Sequence, residues 1–334
     1  MSQAMRSVIA LRYNEVDVPR NVTDECESFV FEDHAYGQAD TIELTMNNRS
    51  EKWMKSWHPH ANDFLKAWIK VQNWEQGKEN AKLFCGKFTI DEIVYSGYPK
   101  TVQLRGISIP INGGFNVTQQ NRTWKKTTTK QILSDIAKRS GIKIVYDAEE
   151  FSIKEITQSG TTDMEFAFRV CEDYDLALKL YNDRMVVYDK NAYEKKKHAY
   201  KISKDDIGDY SIKEQIRTVH DSVKIQYTSG GKTVTYEYTI PKKKGTRRMF
   251  ISEKADSIRD AELKAKARLR ENLRGSKTID LTVMGNVRYK AAENFMLEGF
   301  GKLDGIYFVD YVSHRKENGK YTCQITAHKV VTEF

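Results

Sequence analysis

The chain has 334 residues, enough for two or three domains, and its 40% hydrophobic and 30% charged content is that of a globular protein able to bury its own core without staples. Its formal charge of +8 points to nucleic acid or an acidic protein surface as partner, or to nothing specific. No apolar run approaches the roughly 18 residues that span a bilayer, and residues 1–11 lack signal-peptide architecture, so synthesis in a reducing cytoplasm is expected.

Residues 1–120 read mostly as strands. Positions 41–46 alternate with period two, which buries one face, and Asn47-Asn48-Arg49-Ser50 breaks the run. The segment 51–69 carries Trp53, Trp57 and Trp68 around His58-Pro59-His60. Pro59 and Asn62 argue against one helix there and predict a short helix and loop inserted between strands. Strands return at 83–85, 88–95 and 101–109, before Pro110 and Gly113-Gly114 punctuate the chain.

From 123 to 190 the pattern changes. Ile132, Leu133, Ile136 and Ala137 form one stripe of a helix over 129–140, Gly141 stops it, and 142–146 is a strand. Thr162 and Glu165 make a capping box, with Met164, Ala167, Phe168 and Cys171 on one helical face behind it. Strands at 176–180 and 185–188 complete a small α/β domain.

The run Lys195-Lys196-Lys197-His198 reads as a solvated linker. Strands at 223–227 and 233–240 flank a hairpin turn, Ser229-Gly230-Gly231. A basic loop follows, with Lys242, Lys243, Lys244, Arg247 and Arg248. Next comes an amphipathic helix over 256–274 whose stripe is Ile258, Ala261, Ala265 and Leu269. Lys264, Lys266, Arg268 and Arg270 are expected to face solvent or a partner. Strands fill 277–330, with Asn318-Gly319 as a hairpin turn.

One short pattern occurs twice. Gly86-Lys87-Phe88, Ile90-Asp91-Glu92-Ile93 and Val102-Gln103-Leu104-Arg105-Gly106 correspond to Gly301-Lys302-Leu303, Val309-Asp310-Tyr311-Val312 and Cys323-Gln324-Ile325-Thr326-Ala327. The interval from acid to glutamine differs by two residues, as a change of turn length allows. We read two related β-domains in one polypeptide.

Catalytic chemistry finds little support. Gly231-Lys232-Thr233 lacks the remainder of a phosphate-binding loop, and a strand rather than a helix follows it. His58, His60 and Asp63 have no second cluster with which to hold a metal. Adjacent acids in strands, such as Asp91-Glu92, point to opposite faces. Cys26, Cys85, Cys171 and Cys323 form no C-x-x-C and read as buried thiols. No catalytic residue, cofactor or metal is assigned. The basic loop is read as a solvated surface, a contact for an acidic partner or a DNA-binding element.

Four segments in order carry a family resemblance: Gly37-Gln38-Ala39-Asp40-Thr41-Ile42-Glu43-Leu44; Cys85-Gly86-Lys87-Phe88-Thr89-Ile90-Asp91-Glu92-Ile93; Thr162-Asp163-Met164-Glu165-Phe166 with Leu176-Ala177-Leu178-Lys179; and Gly299-Phe300-Gly301-Lys302-Leu303-Asp304-Gly305. The chain resembles the baseplate hub proteins of contractile phage tails and tail-like bacteriocins, the late control D family, and is similar to the hub part of type VI secretion spike proteins. The resemblance implies an α+β, mainly β fold: two related β-barrel domains with a small α/β domain between them and a helical insertion in the second. The expected boundaries are 1–122, with the Trp-rich insertion near 51–69; 123–197; and 198–334, with the basic loop and helix at 241–275.

The function so implied is structural, not enzymatic. A homotrimer would present six similar units, joining a hexameric tail tube or tube initiator to a trimeric central spike, with other baseplate proteins as neighbours. No membrane is involved, and DNA is only passing cargo if the particle is a phage. Assembly into a virion tail or tail-like particle would follow synthesis in the bacterial cytoplasm. The chain carries no lysozyme-like domain or spike β-helix repeat, so those activities are expected on other chains. Interface candidates are Trp53, Trp57, Trp68 and the five basic loop residues, which are expected to lie away from the ring lumen. Gly86, Lys87, Asp91, Gly301, Lys302 and Asp310 are the repeat's structural residues. The alternatives are a basic nucleic-acid-binding protein and a cell-wall-binding or wall-hydrolysing module.

Overall fold

A computed structural model describes all residues except 1–3, 61, 75–78, 110–113, 230, 256 and 333. Pro110, Gly113 and Gly230, expected as chain breaks, lie outside the described residues, as does the first residue of the expected helix, 256. The first seven strands are β1 (Arg6–Tyr13), β2 (Val16–Asp17), β3 (Cys26–His34), β4 (Thr41–Asn47), β5 (Phe64–Asn73), β6 (Glu79–Ser96) and β7 (Thr101–Ile107), with a short helix α1 (Arg20–Thr23) before β3. Alternation decides their facing: Ile42, Leu44 and Met46 of β4 are buried while Thr41, Glu43 and Thr45 are half-exposed. The strands expected at 83–85 and 88–95 are one bent strand, β6, pairing β5 with its first part and β7 with its second.

The last part contributes β13 (Tyr200–Ser203), β14 (Ile207–Glu214), β18 (Lys277–Met284), β19 (Asn294–Glu298), β20 (Gly305–Glu317) and β21 (Lys320–Lys329). All thirteen strands join one sheet, in the order β14-β18-β21-β20-β3-β4-β7-β6-β5-β1-β2, with β19 and then β13 branching from β20. One apolar cluster runs under both parts, from Ile9 and Phe29 to Ile279 and Ile325. The mainly-β α+β class is borne out. Among the described residues the ladders form an open path, and none closes either half into a barrel within one chain.

Between the halves lie β8 (Gln119–Thr128), α2 (Thr129–Arg139), β9 (Lys143–Asp147), β10 (Ser152–Thr162), α3 (Asp163–Asp173), β11 (Leu176–Tyr181), β12 (Arg184–Asp189) and α4 (Lys190–Glu194). The Thr162–Glu165 capping box forms, and Thr128 with Gln131 makes a second one at α2. Ile132, Leu133, Ile136 and Ala137 are buried as the stripe predicts. On α3 the buried face is Phe166, Ala167, Val170 and Cys171; Met164 and Phe168 only flank it. Lys179 of β11 docks this unit on the large sheet. Its ammonium donates to Asp33 at 2.6 Å, Asp40 at 2.9 Å and the His34 carbonyl at 2.5 Å. Complete burial pushes the Asp40 carboxyl up to about 7, against the pull of Lys179.

The insertion in the second half is larger than a loop and helix. A separate sheet of β15 (Ser222–Ser229), β16 (Lys232–Thr239) and β17 (Arg248–Ile251), ordered β16-β15-β17, carries α5 (Ile258–Arg274). The hairpin at 223–240 therefore belongs to this small sheet, not to the second barrel. Ala261, Ala265 and Leu269 pack on it with Val223, Ile225 and Ile240, whereas Ile258, the first helical residue, is 65% exposed. The helix's cations do not face solvent or a partner, as expected, but bind within the chain. Arg268 reaches Glu172, Asp173 and Glu253; Arg270 reaches Asp175; Lys264 pairs with Asp260, and Lys266 with Glu262.

A line of buried charges ties the units together. Arg274, which ends α5, donates to Asp175 at 2.5 Å and Glu194 at 2.6 Å. Glu194 lies 3.6 Å from His328 Nε2, and His328 Nδ1 lies 2.8 Å from Asp310. Burial alone would push the His328 imidazolium down, but the charges and hydrogen bonds of Asp310 and Glu194 outweigh it and raise it to about 9.

Two outcomes follow. Leu269 is fully buried, so Leu269→Ala should cost about 2–5 kcal/mol in denaturant unfolding; a loss below roughly half a kcal/mol would mean that the site is not core. His328 titrates above its ordinary value in the folded chain, so its contribution is complete below about pH 6.5 and is lost as pH rises through about 9. The stability difference between wild type and His328→Gln should shrink by on the order of 3 kcal/mol between pH 6 and 10. A difference independent of pH would show that the imidazole is neutral.

Candidate functional site

The duplicated pattern is a bulged hairpin. In the first copy Ile90 pairs with Gly106 and Glu92 with Arg105, so Asp91 is the extra, unpaired residue. In the second Val309 pairs with Ala327 and Tyr311 with Thr326, so Asp310 is the extra residue. The same bend is inserted at the same place. Beyond it, the first copy pairs 92–96 with 101–105 around the turn 97–100, and the second pairs 311–317 with 320–326 around 318–319. Each arm gains two residues and the turn loses two, which accounts for the two-residue difference in spacing. Even the neighbouring bond is duplicated: Ile90 N–H donates to the Asp63 carbonyl, and Val309 N–H to the Glu293 carbonyl, both at 2.9 Å.

Gly86 and Gly301 do not occupy equivalent positions. Gly86 pairs with Ala67 inside β6, at φ +134°. Gly301 instead starts a 3-10 turn, with Lys302 inside it. The true counterpart of Gly86 is Gly305, at φ +139°, five residues before Asp310 just as Gly86 is five before Asp91. Both glycines bend the strand through a conformation that side chains rarely adopt, and a Cβ on Gly86 would press on Phe88 and Tyr181. The Gly-Lys dipeptide recurs at 301, but the conformational demand sits at 305. Lys87 pairs with Asp183 of the middle unit, a role that Lys302 does not share.

The two halves meet along a strand seam. β20 pairs antiparallel with β3 from Tyr311↔His34 to Glu317↔Ser28. The Ala35 N–H donates to the Asp310 carbonyl at 2.8 Å, Tyr311 Oη donates to Glu32 at 2.9 Å, and the rings of Phe31 and His314 stack at 5.7 Å. His314 is buried, which pushes its imidazole down to about 4 and keeps it neutral. Nε2–H then donates to the Tyr289 carbonyl and Nδ1 accepts from Tyr321. Asp310 therefore marks a bulge, holds His328 and touches Tyr36, while its counterpart Asp91 is exposed. No spacing in the sequence announces His328, Lys179 or Asp33, whose partners lie far along the chain.

The tryptophans divide. Trp53 is 9% exposed and packs in the main core; Trp57 meets it edge-on at 5.6 Å. Trp68 does not belong to the insertion. It lies in β5 against Phe84 at 4.9 Å, because the insertion ends before Phe64 and regular alternation resumes there. Trp53 and Trp57 border an apolar cleft with Tyr13, Val16, Val18 and His58.

The basic loop joins β16 to β17 at one end of the small sheet. Lys242, Lys243 and Lys244 are exposed; Arg248 pairs with Glu237, and the Arg247 guanidinium donates to the Ile216 carbonyl. The loop and the tryptophans are thus separate surfaces. Among the described residues no group of three His, Cys, Asp or Glu is placed to hold a metal ion, and no helix is long and apolar enough to cross a membrane. Cys85, Cys171 and Cys323 are buried thiols and Cys26 is half-buried.

No family model matches the chain. In sequence it is 26% identical over 159 residues to the probable baseplate hub protein of Escherichia phage P2, a match covering 47% of this chain and 38% of that protein, so the chain accounts for well under two thirds of that relative's length. In structure it is similar to a tail protein from Neisseria meningitidis MC58, at TM-score 0.71 and 13% identity over 97% of both chains. It is similar, too, to the 43 kDa tail protein of prophage MuSo2 from Shewanella oneidensis, at 0.68 and 13%, over 97% and 98%. The E. coli c3393 protein, a type VI secretion component, follows at 0.61 and 10%, over 97% and 78%. Each is a tail or secretion component by name, and none is named for an enzyme activity. With a hub protein as sequence relative and a fold shared with tail and type VI proteins, the resemblance of this chain to the baseplate hub family is borne out.

Proposed function

We propose that the chain is a structural hub of a contractile tail: a trimeric adaptor joining a sixfold tube to a threefold spike within a virion or tail-like particle. The observation that carries this is the duplicated bulged hairpin on one continuous sheet. Two equivalent units per chain give six around a threefold axis, and a sixfold partner can then be met by a trimer. The buried ion pairs of Lys179 and Arg274, which join the middle unit to the large sheet and to the insertion, support a scaffold. Tube or tube-initiator protein, central spike and neighbouring baseplate proteins are the proposed partners, and the apolar cleft beside Trp57 is a candidate contact. DNA, if the particle carries it, passes without being held.

The basic loop is proposed to meet an acidic protein outside the lumen. A conduit lined by three copies of five cations would retain a duplex, since each phosphate neutralised adds close to one unit of salt dependence. Nucleic-acid binding is the second reading, and the exposed Lys242, Lys243 and Lys244 favour it.

Native mass spectrometry of the assembled protein should give three times the 38.7 kDa chain mass; a stable monomer inside the particle would overturn the ring. Lys242→Glu, Lys243→Glu and Lys244→Glu together leave the Arg248–Glu237 pair intact. They should slow particle assembly at low salt and have little effect at high salt. Normal assembly with faulty DNA ejection would place the loop in the lumen instead.

A further inference from the structure

The duplication extends past the hairpin to the sheet's edges. β18 pairs with β21 as β4 pairs with β7: Ile279↔Ala327 matches Ile42↔Gly106, and Leu281↔Ile325 matches Leu44↔Leu104. One strand further out, β14 pairs with β18 as β3 pairs with β4. Ile212↔Ile279 matches Phe31↔Ile42, and Tyr210↔Leu281 matches Phe29↔Leu44. The register breaks agree as well, lying between Ile207 and Asp209 in β14 and between Cys26 and Ser28 in β3. β14 is therefore the positional copy of β3.

Inside the chain, the outer edge of β3 is covered by residues 311–317 of β20. Their copies in the first hairpin are 92–96 of β6 and the turn after it. Among the described residues no strand covers the outer edge of β14, and none covers 92–96 on the side away from β7. The burial shows what is missing. Phe29 is 1% exposed but Tyr210 is 47% exposed; Ser313 is 4% exposed but Val94 is 38% exposed. Ile216, the copy of Ala35, is 77% exposed where Ala35 is fully buried. One chain thus ends in two complementary open edges, and a filled example of their junction lies between them.

We propose that β14 of one copy pairs antiparallel with residues 92–96 of the next, in the register of the internal seam. Glu92 then faces Gln215, Ile93 faces Glu214, Val94 faces Lys213, Tyr95 faces Ile212 and Ser96 faces Ser211. The Asp91 carbonyl takes the Ile216 N–H as the Asp310 carbonyl takes that of Ala35. Tyr95 and Ile212, both half-buried on the main core, complete the apolar layer where His314 and Phe31 do so inside the chain. The occupant is a second copy of this chain because each edge finds its complement on the same polypeptide. A head-to-tail contact of this kind closes into a ring when its rotation divides the full circle, and a closed ring removes both open edges. The inference rests on the ring reading above and adds its interface.

The test is the double variant Val94→Cys with Lys213→Cys, both exposed, in the full chain oxidised with copper phenanthroline. Denaturing gels without reductant should show linked species up to three chains. Either single variant, or Val94→Cys with Ile212→Cys, whose side chains lie on opposite faces, should show none beyond wild type. A trimer by native mass without the cross-link would overturn this interface and leave the ring standing. Equal linkage through position 212 would overturn the register, and a monomer would overturn both interface and ring. Hydrogen exchange on the unmodified protein gives a second readout: amides of 92–96 and 207–214 should be protected in the assembled form, like those of 311–317, and should lose protection on dissociation. Unchanged exchange would overturn the pairing even if the cysteine variants misfold.

Discussion

The architecture depends on one junction, the antiparallel seam between β3 and β20. Without it the chain would be two small sheets with four edges. With it, both halves share one ladder and one apolar cluster. The seam is held by more than backbone bonds. Asp33 accepts from the Ala291 N–H and takes the Lys179 ammonium, and Asp310, at the bulge, holds His328. A bulge normally weakens a ladder, but here it turns the strand so that one edge of β20 can meet β19 first and β3 afterwards.

The appendages are fastened by charge. Helix α5 buries only Ala261, Ala265, Ala267 and Leu269 as apolar residues, too little to fix the insertion to the middle unit. Arg268, Arg270 and Arg274 do that instead, gripping Glu172, Asp173, Asp175 and Glu194. Arg274 is 2% exposed, so removing one partner would strand a buried charge, a penalty larger than the pair's net gain. Such pairs fix geometry better than they add stability. They make sense where an appendage must keep one orientation.

Local signals carried much of this fold. Alternation in β4, the stripe of α2 and the capping box at Thr162 each encode their structure within a few residues, and all three formed. The bulge acids were legible because a bulge is a local event in two similar hairpins. Gly305 was missed because its role lies in φ, which a dipeptide match does not read. The small sheet of β15, β16 and β17 was assigned to the wrong unit because strand pattern does not say which sheet a strand joins. Trp68 was misplaced because composition, rather than period, set the edge of the insertion. The arginines of α5 looked solvated because their acids on the middle unit lie about a hundred residues away in sequence, whereas the acids of Lys264 and Lys266 sit only four positions off. Contacts made by topology leave no trace in spacing.

The two halves differ most where their strands turn. β3 passes to β4 through residues 35–40, a loop short enough to bury Asp40. The equivalent passage from β14 to β18 spans 215–276 and holds a whole sheet and a helix. In the large sheet β3, β4, β6 and β7 recur as β14, β18, β20 and β21, while this appendage is present once. In a ring of the proposed kind the ladders would repeat six times and the appendages three. A surface built from the ladders would suit a sixfold partner, and a surface built from the appendages a threefold one. The mismatch between tube and spike would then be absorbed within each polypeptide, by duplicating the hairpin and leaving the insertion single.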